Sequence, residues 1–120
     1  MALKVTTHEA DGVTVVEPDG HLVFGEDLSA LRERVKGLIA EGKRKIVLNM
    51  GHVAKIDSMG LGVLVTAYYS ASTRGASLRL CNLGRQLKEV LQITKLINVF
   101  EVSNTEADAV RSLSSISVTE

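Results

Sequence analysis

Apolar positions recur along this 120-residue chain in two alternating rhythms. The runs LKVTTHE (3–9) and VTVVEP (13–18) are rich in β-branched residues and flank Asp11-Gly12, which predicts two strands joined as a hairpin. Asp19-Gly20 predicts a second turn, leading into a short strand, HLVF (21–24). Between Glu26 and Glu41 the rhythm lengthens. Leu28, Leu31, Val35, Leu38 and Ile39 take helical spacing, and Gly42 suits the helix end. KIVLNM (45–50) is apolar on both faces, as in a strand covered from both sides. Ser58 to Thr73 reads as a helix with Leu61, Leu64, Val65, Tyr68 and Ser72 facing the core and Met59, Val63 and Thr66 facing outward. SLRLC (77–81) predicts a strand, residues 85–93 a helix carrying Leu87, Val90 and Leu91, and VFEV (99–102) a last strand. Ser103-x-x-Glu106 has the form of a capping box for a final helix with Ala107, Val110 and Leu113. The tail SSISVTE (114–120) is expected to fray.

Strands alternating with helices imply an α/β fold around a partly parallel sheet, which the opening hairpin makes mixed. The expectation is one domain over residues 1–113, with about four to five strands and about four helices, followed by a flexible tail at 114–120. The 45% hydrophobic content suffices for one core, not two. Fourteen basic residues balance fourteen acidic ones, so no positive field draws nucleic acid or an anionic membrane. Aromatic residues, at 3%, are too few for a base-stacking platform. No apolar run reaches the roughly 18 residues of a membrane span. The opening MALKVTTHEADG lacks the apolar core of a secretion signal. With a single cysteine, Cys81, no internal disulfide can form, and the balance favours the cytoplasm, without membrane insertion or nucleic acid. Cys81, inside LRLCNL, is expected to be a buried packing residue.

Candidate chemistry concentrates in AKIDSMGLGVLV (54–65), where the chain leaves the strand KIVLNM and enters the helix at Ser58. A hydrolase elbow needs Gly-x-Ser-x-Gly, but Ile56 stands where the first glycine belongs, and His8, His21 and His52 are scattered. No phosphate loop with its lysine exists. Gly60-x-Gly62 lacks the third small residue of a dinucleotide site, since Val65 occupies it. Weak nucleotide binding at the helix N-terminus stays as a minor alternative. Histidines and carboxylates do not cluster at ligand spacing on any one element, so neither a metal nor a cofactor is expected. Asp57 or Ser58 can cap the helix by accepting from an amide two or three residues on. Two glycines in the opening turns exceed what a cap needs, since each costs up to about 1 kcal/mol relative to alanine. A bare backbone at Gly60 and Gly62 suits close approach by another surface. With Met59, Val63 and Thr66 beside it, Ser58 has the surroundings of a docking patch.

The segment IVLNMGHVAKIDSMGLGVLV (46–65) resembles the signature of STAS domains, in particular the bacterial anti-sigma factor antagonists: a hydrophobic strand, a short loop, then Asp-Ser-x-Gly-Leu-Gly opening a helix. Residues 57–62 match it, with Met59 in the variable position. The resemblance extends to Gly20-x-Leu22 before the first helix, to SLRLCNL (77–83) and to VLQITKLINVFEV (90–102). It departs at Val23-Phe24, where many antagonists carry an acidic residue. The resemblance implies a STAS-type fold and a phosphorylation switch that is not itself an enzyme. It implies that the unmodified protein binds an anti-sigma factor serine kinase, and that the kinase uses ATP to phosphorylate Ser58 and so ends the complex. A serine phosphatase resets the switch. Asp57, Met59, Gly60, Gly62, Val63 and Thr66 are then the expected partner-binding residues. The alternative is a non-switching STAS scaffold of a sensory or transport complex, in which Ser58 only caps its helix.

Overall fold

Asp11 and Gly12 both take positive φ, 51° and 79°, the twist that lets two strands meet across a two-residue turn. Strands β1 (Lys4–Ala10) and β2 (Val13–Leu22) accordingly pair antiparallel, with Ala10 opposite Val13. The structure, a computed structural model, describes residues 3–114. β2 runs on for ten residues straight through Asp19-Gly20. The turn expected there is instead an irregularity in the strand: the register shifts between Gly20 and His21, and Gly20 absorbs it with φ 131°. The upstream half of β2 pairs parallel with β3 (Lys45–Asn49), and the downstream end pairs parallel with β4 (Val53–Ile56).

Among the described residues the sheet has six strands in the order β1-β2-β3-β5-β6, with β4 alongside the end of β2. β5 (Ser77–Cys81) and β6 (Glu101–Ser103) continue it in parallel. The mixed sheet and four helices are as the sequence predicts. The added strand, β4, lies in a stretch expected to be loop. Its four residues leave Ala54 and Lys55 exposed, so they carry no apolar alternation to read. The helices are α1 (Ser29–Ala40), α2 (Ser58–Thr73), α3 (Arg85–Ile93) and α4 (Glu106–Ser114). Ser114, placed above in the tail, ends α4, and residues 115–120 lie outside the described residues.

Alternation along β3 divides the core between two faces. Ile46 and Leu48 join α1, α2 and α3 in the larger cluster, whereas Val47 joins Val13, Val15 and Cys81 under Ala109, Val110 and Leu113 of α4. KIVLNM is thus covered on both sides, as its composition predicts. Cys81 is fully buried, and burial foremost, then the charges of Glu106 and Glu17, push its thiol up to about 12, which leaves it an inert packing group. The expected capping box is not formed. Ser103 belongs to β6, and the Asp108 amide donates instead to Thr105 Oγ1 at 3.1 Å. Among the described residues, no helix is long and apolar enough to cross a membrane.

The face that α2 turns to the sheet differs from the expected one. Gly60, Val63, Leu64, Ala67 and Ala71 are buried, while Leu61, Val65 and Tyr68 are half-buried and Ser72 is exposed. Val63, assigned above to the outer face, is 4% exposed and cannot belong to a free docking patch. The small residues decide this orientation. Gly60, Ala67 and Ala71 let the helix backbone approach the sheet, with Val63 and Leu64 filling the core between them and Leu61, Val65 and Tyr68 at the margins.

Candidate functional site

The loop between β4 and α2 places Asp57 in extended backbone, φ −123° and ψ −170°, the usual geometry of a helix-capping residue. Its Oδ1 accepts from the amides of Met59 at 3.0 Å and Gly60 at 3.1 Å. Its Oδ2 accepts from the amide of Phe24 at 2.9 Å, beyond the end of β2. One carboxylate therefore caps α2 and ties down the segment after β2. The Phe24 amide foremost, with those of Gly60 and Met59, holds the Asp57 carboxyl below its usual range, against a smaller opposing effect of desolvation.

Of the two capping candidates, Asp57 takes the role and Ser58 does not. Ser58 is the first residue of α2 and exposed, and no hydrogen bond engages its hydroxyl among the described residues. Met59 is 53% exposed, and Gly62 and Thr66 are exposed on the same side of the helix. Gly60 is not. A Cβ there would lie 1.9 Å from the Leu22 carbonyl oxygen, so its bare backbone serves contact with β2 inside the chain and is closed to a partner. Gly62 meets nothing within 4 Å and keeps the open backbone expected of it.

Phe24 is a member of this surface that the motif leaves out. It is 78% exposed and shares the Asp57 carboxylate with Met59 through the backbone amides. Its signal in the sequence is the apolar pair Val23-Phe24 at the point of departure from the antagonist pattern. The weak nucleotide alternative loses ground here, because the Met59 and Gly60 amides are already taken by a carboxylate of the same charge as a phosphate. The histidines are not all scattered: three elements bring His8, Glu17 and Glu106 together, across sequence separations that hide the grouping.

The STAS domain family model matches residues 4–109. The chain belongs to the STAS domain family. This STAS domain is 26% identical over 107 residues to the BtrV protein of Bordetella bronchiseptica, covering 89% of this chain and 91% of that one. It is 21% identical over 117 residues to the anti-sigma F factor antagonist of Paenibacillus polymyxa, covering 98% and 100%. Its fold matches that of the Bacillus cell fate determinant SpoIIAA in the phosphorylated form, with a TM-score of 0.70, 18% identity and coverage of 91% and 98%.

The Asp57 cap has a pH signature. Because folding lowers the carboxyl's pKa, its stabilising contribution is fully present above the unfolded-state value near 3.8 and is lost as pH falls through the lower folded-state value. Wild type is expected to be more stable than Asp57→Asn at neutral pH, with the difference closing below pH 3.8. Urea unfolding of both proteins across that range measures it. A difference that stays constant with pH would mean that the charge of Asp57 contributes nothing.

Proposed function

We propose that this STAS domain is a cytoplasmic anti-sigma factor antagonist operated by phosphorylation of Ser58. In its unmodified state it binds an anti-sigma factor serine kinase through the surface formed by Phe24, Met59, Gly62 and Thr66 around Ser58. In the transfer step the Ser58 Oγ attacks the γ-phosphorus of ATP, the bond to the β–γ bridging oxygen breaks, and ADP leaves. The hydroxyl proton passes to a base on the kinase. A serine phosphatase hydrolyses the phosphoester and restores the binding form. The chain contributes an acceptor and a docking surface and no chemistry of its own.

One observation carries this reading: Asp57 caps α2, which leaves the hydroxyl of the adjacent, exposed Ser58 free of that role. With both Asp57 oxygens committed to amides, Ser58 bonds to nothing among the described residues, so loading it with phosphate disrupts no native contact. The N-terminus of α2 tolerates the added anion through the helix dipole, worth about 0.3–1 kcal/mol. The scaffold alternative assigns Ser58 a structural role that Asp57 already fills. The names of the Paenibacillus and Bacillus relatives, one an anti-sigma F factor antagonist and one with a phosphorylated form, support the same reading.

The test is phosphorylation by a cognate serine kinase with ATP and magnesium, followed by intact-mass and peptide-mapping spectrometry. One phosphate on Ser58 and none on Ser58→Ala is the expected result. A phosphate on Ser70 or Ser72 with Ser58 unmodified would overturn the assignment.

A further inference from the structure

The back of the sheet carries a polar cluster that the switch does not use. His8 on β1, Glu17 on β2 and Glu106 at the start of α4 each offer a ligand atom, all within 4.8 Å of one another. The register explains the meeting. His8 stands opposite Val15, so it shares the α4 face of the sheet with Val15 and, two residues on, Glu17. Glu106 reaches them from the first turn of α4. His8 Nε2 lies 2.9 Å from Glu106 Oε2, and His8 Nδ1 lies 3.4 Å from Glu17 Oε1. On the other side of Glu17, His52 Nε2 is 3.8 Å from Oε2.

The cluster has a support built behind it. The other oxygen of Glu106 accepts from Asn49 Nδ2 at 2.9 Å, and Asn49 is 6% exposed. Asn49 Oδ1 in turn accepts from the Gly51 amide at 2.9 Å and from Asn82 Nδ2 at 3.0 Å. A buried amide fixed by two further donors therefore aims the Glu106 carboxylate at His8. Outer groups of this kind orient ligands in metal sites.

We propose that His8, Glu17 and Glu106 bind a divalent transition metal of the zinc type. Imidazole and carboxylate donors without thiolate suit zinc, whereas magnesium and calcium take oxygen donors alone. Neighbouring ligands of a tetrahedral zinc stand roughly 3.3 Å apart, given bonds of about 2.0 Å. Taking one donor atom per residue, the three lie within 4.8 Å of one another, so closing on an ion draws them together by about 1.5 Å at most. Because Glu17 and Glu106 contact different ring nitrogens of His8, one carboxylate or the ring turns so that both meet the ion at a single nitrogen. The metal takes one His8 nitrogen, and any proton that nitrogen carries is released to solvent. The bound ion clips β1, β2 and α4 together and ties the edge hairpin to the back helix.

The experiment is calorimetric titration of the full chain with zinc chloride, alongside thermal unfolding, on wild type, His8→Ala, Glu106→Gln and His21→Ala. Wild type is expected to bind one zinc ion and unfold at higher temperature with it, and magnesium chloride should do neither. His8→Ala and Glu106→Gln should bind at least about tenfold more weakly, the loss typical even of an outer-group change. His21→Ala, altered at an exposed histidine outside the cluster, should bind as wild type does. The ring-proton resonances of wild-type His8 should shift on zinc addition while those of His21 stay in place, which decides the question even if a variant fails to fold. Absence of saturable binding at millimolar zinc, equal binding by folded His8→Ala, or an unmoved His8 resonance would overturn the proposal.

Discussion

Gly60→Ala is expected to destabilise the protein more than any other single-methyl addition in α2. The new Cβ would sit 1.9 Å from the Leu22 carbonyl oxygen and 2.7 Å from both the carbonyl carbon and the Cβ of that residue. These are mostly backbone atoms of β2, held in the sheet by pairing with β4, and no rotamer change moves them aside. The same Leu22 oxygen accepts from the Asp57 amide at 3.2 Å, so pushing the strand away also loosens the start of α2. Helix and strand must separate by more than an ångström to restore an ordinary contact. Overpacking costs 1–3 kcal/mol and occasionally more, and a backbone collision belongs at the upper end, about 3 kcal/mol or beyond. For a domain of this size that is a fall in melting temperature on the order of 10 °C. Gly62→Ala is the control. Its Cβ meets nothing within 4 Å, and alanine in a helix should stabilise by up to about 1 kcal/mol. Thermal and urea unfolding of the two variants measures the contrast. Equal stability would mean that α2 does not depend on close approach at Gly60.

The second large effect concerns affinity. Phosphorylated protein should bind the kinase at least a hundredfold more weakly than unmodified protein, while melting close to the same temperature. Phosphate brings about −1.5 to −2 charges to a site already holding the Asp57 carboxylate. Around it stand the exposed side chains of Phe24 and Met59, which must lose water to a partner for binding to proceed. Burying an unpaired charge there costs several kcal/mol, and roughly 2.8 kcal/mol already corresponds to a hundredfold. The fold should not share the penalty, because the Ser58 hydroxyl makes no hydrogen bond among the described residues. Ser58→Asp should follow the same direction with a smaller loss, since a carboxylate carries less charge. Calorimetric titration and thermal unfolding of the unmodified, phosphorylated and Ser58→Asp proteins measure both quantities. Equal affinity of the phosphorylated and unmodified forms would end the switch reading.

How far the sequence discloses this molecule depends on whether the signal is local. Asp11-Gly12 announces its turn because positive φ at two successive residues is an intrinsic preference of that pair. The two-sided burial of KIVLNM follows from its composition. Asp19-Gly20 carries the same local chemistry as the first turn, yet there the pairing of β2 with β3 and β4 holds the strand extended and reduces the glycine to a kink. The orientation of α2 is hidden for a different reason. The helix is apolar nearly all round, so a stripe of large residues can be drawn on more than one side, and the choice falls to Gly60, Ala67 and Ala71, which hydrophobicity weighs least. Ser58 and Asp57 are legible as a pair. Their division of labour is not, because it turns on the Phe24 amide, donated from thirty-three residues away. The group His8, Glu17 and Glu106 depends wholly on strand register and helix placement, and no spacing within the sequence encodes it.

The covering of the back face by one nine-residue helix also gives the protein an internal clock. Cys81 has no exposed surface while Ala109, Val110 and Leu113 lie over its face of the sheet. A thiol-specific reagent reaches it only when α4 lifts away or the whole chain unfolds. With reagent in excess, the labelling rate therefore reports how often this helix detaches, as distinct from how often everything melts. The chain's single sulfhydryl makes that a one-signal measurement, free of competing sites. A helix that departs on its own would label Cys81 faster than global unfolding permits, and the sheet's two faces would then be separate cooperative units.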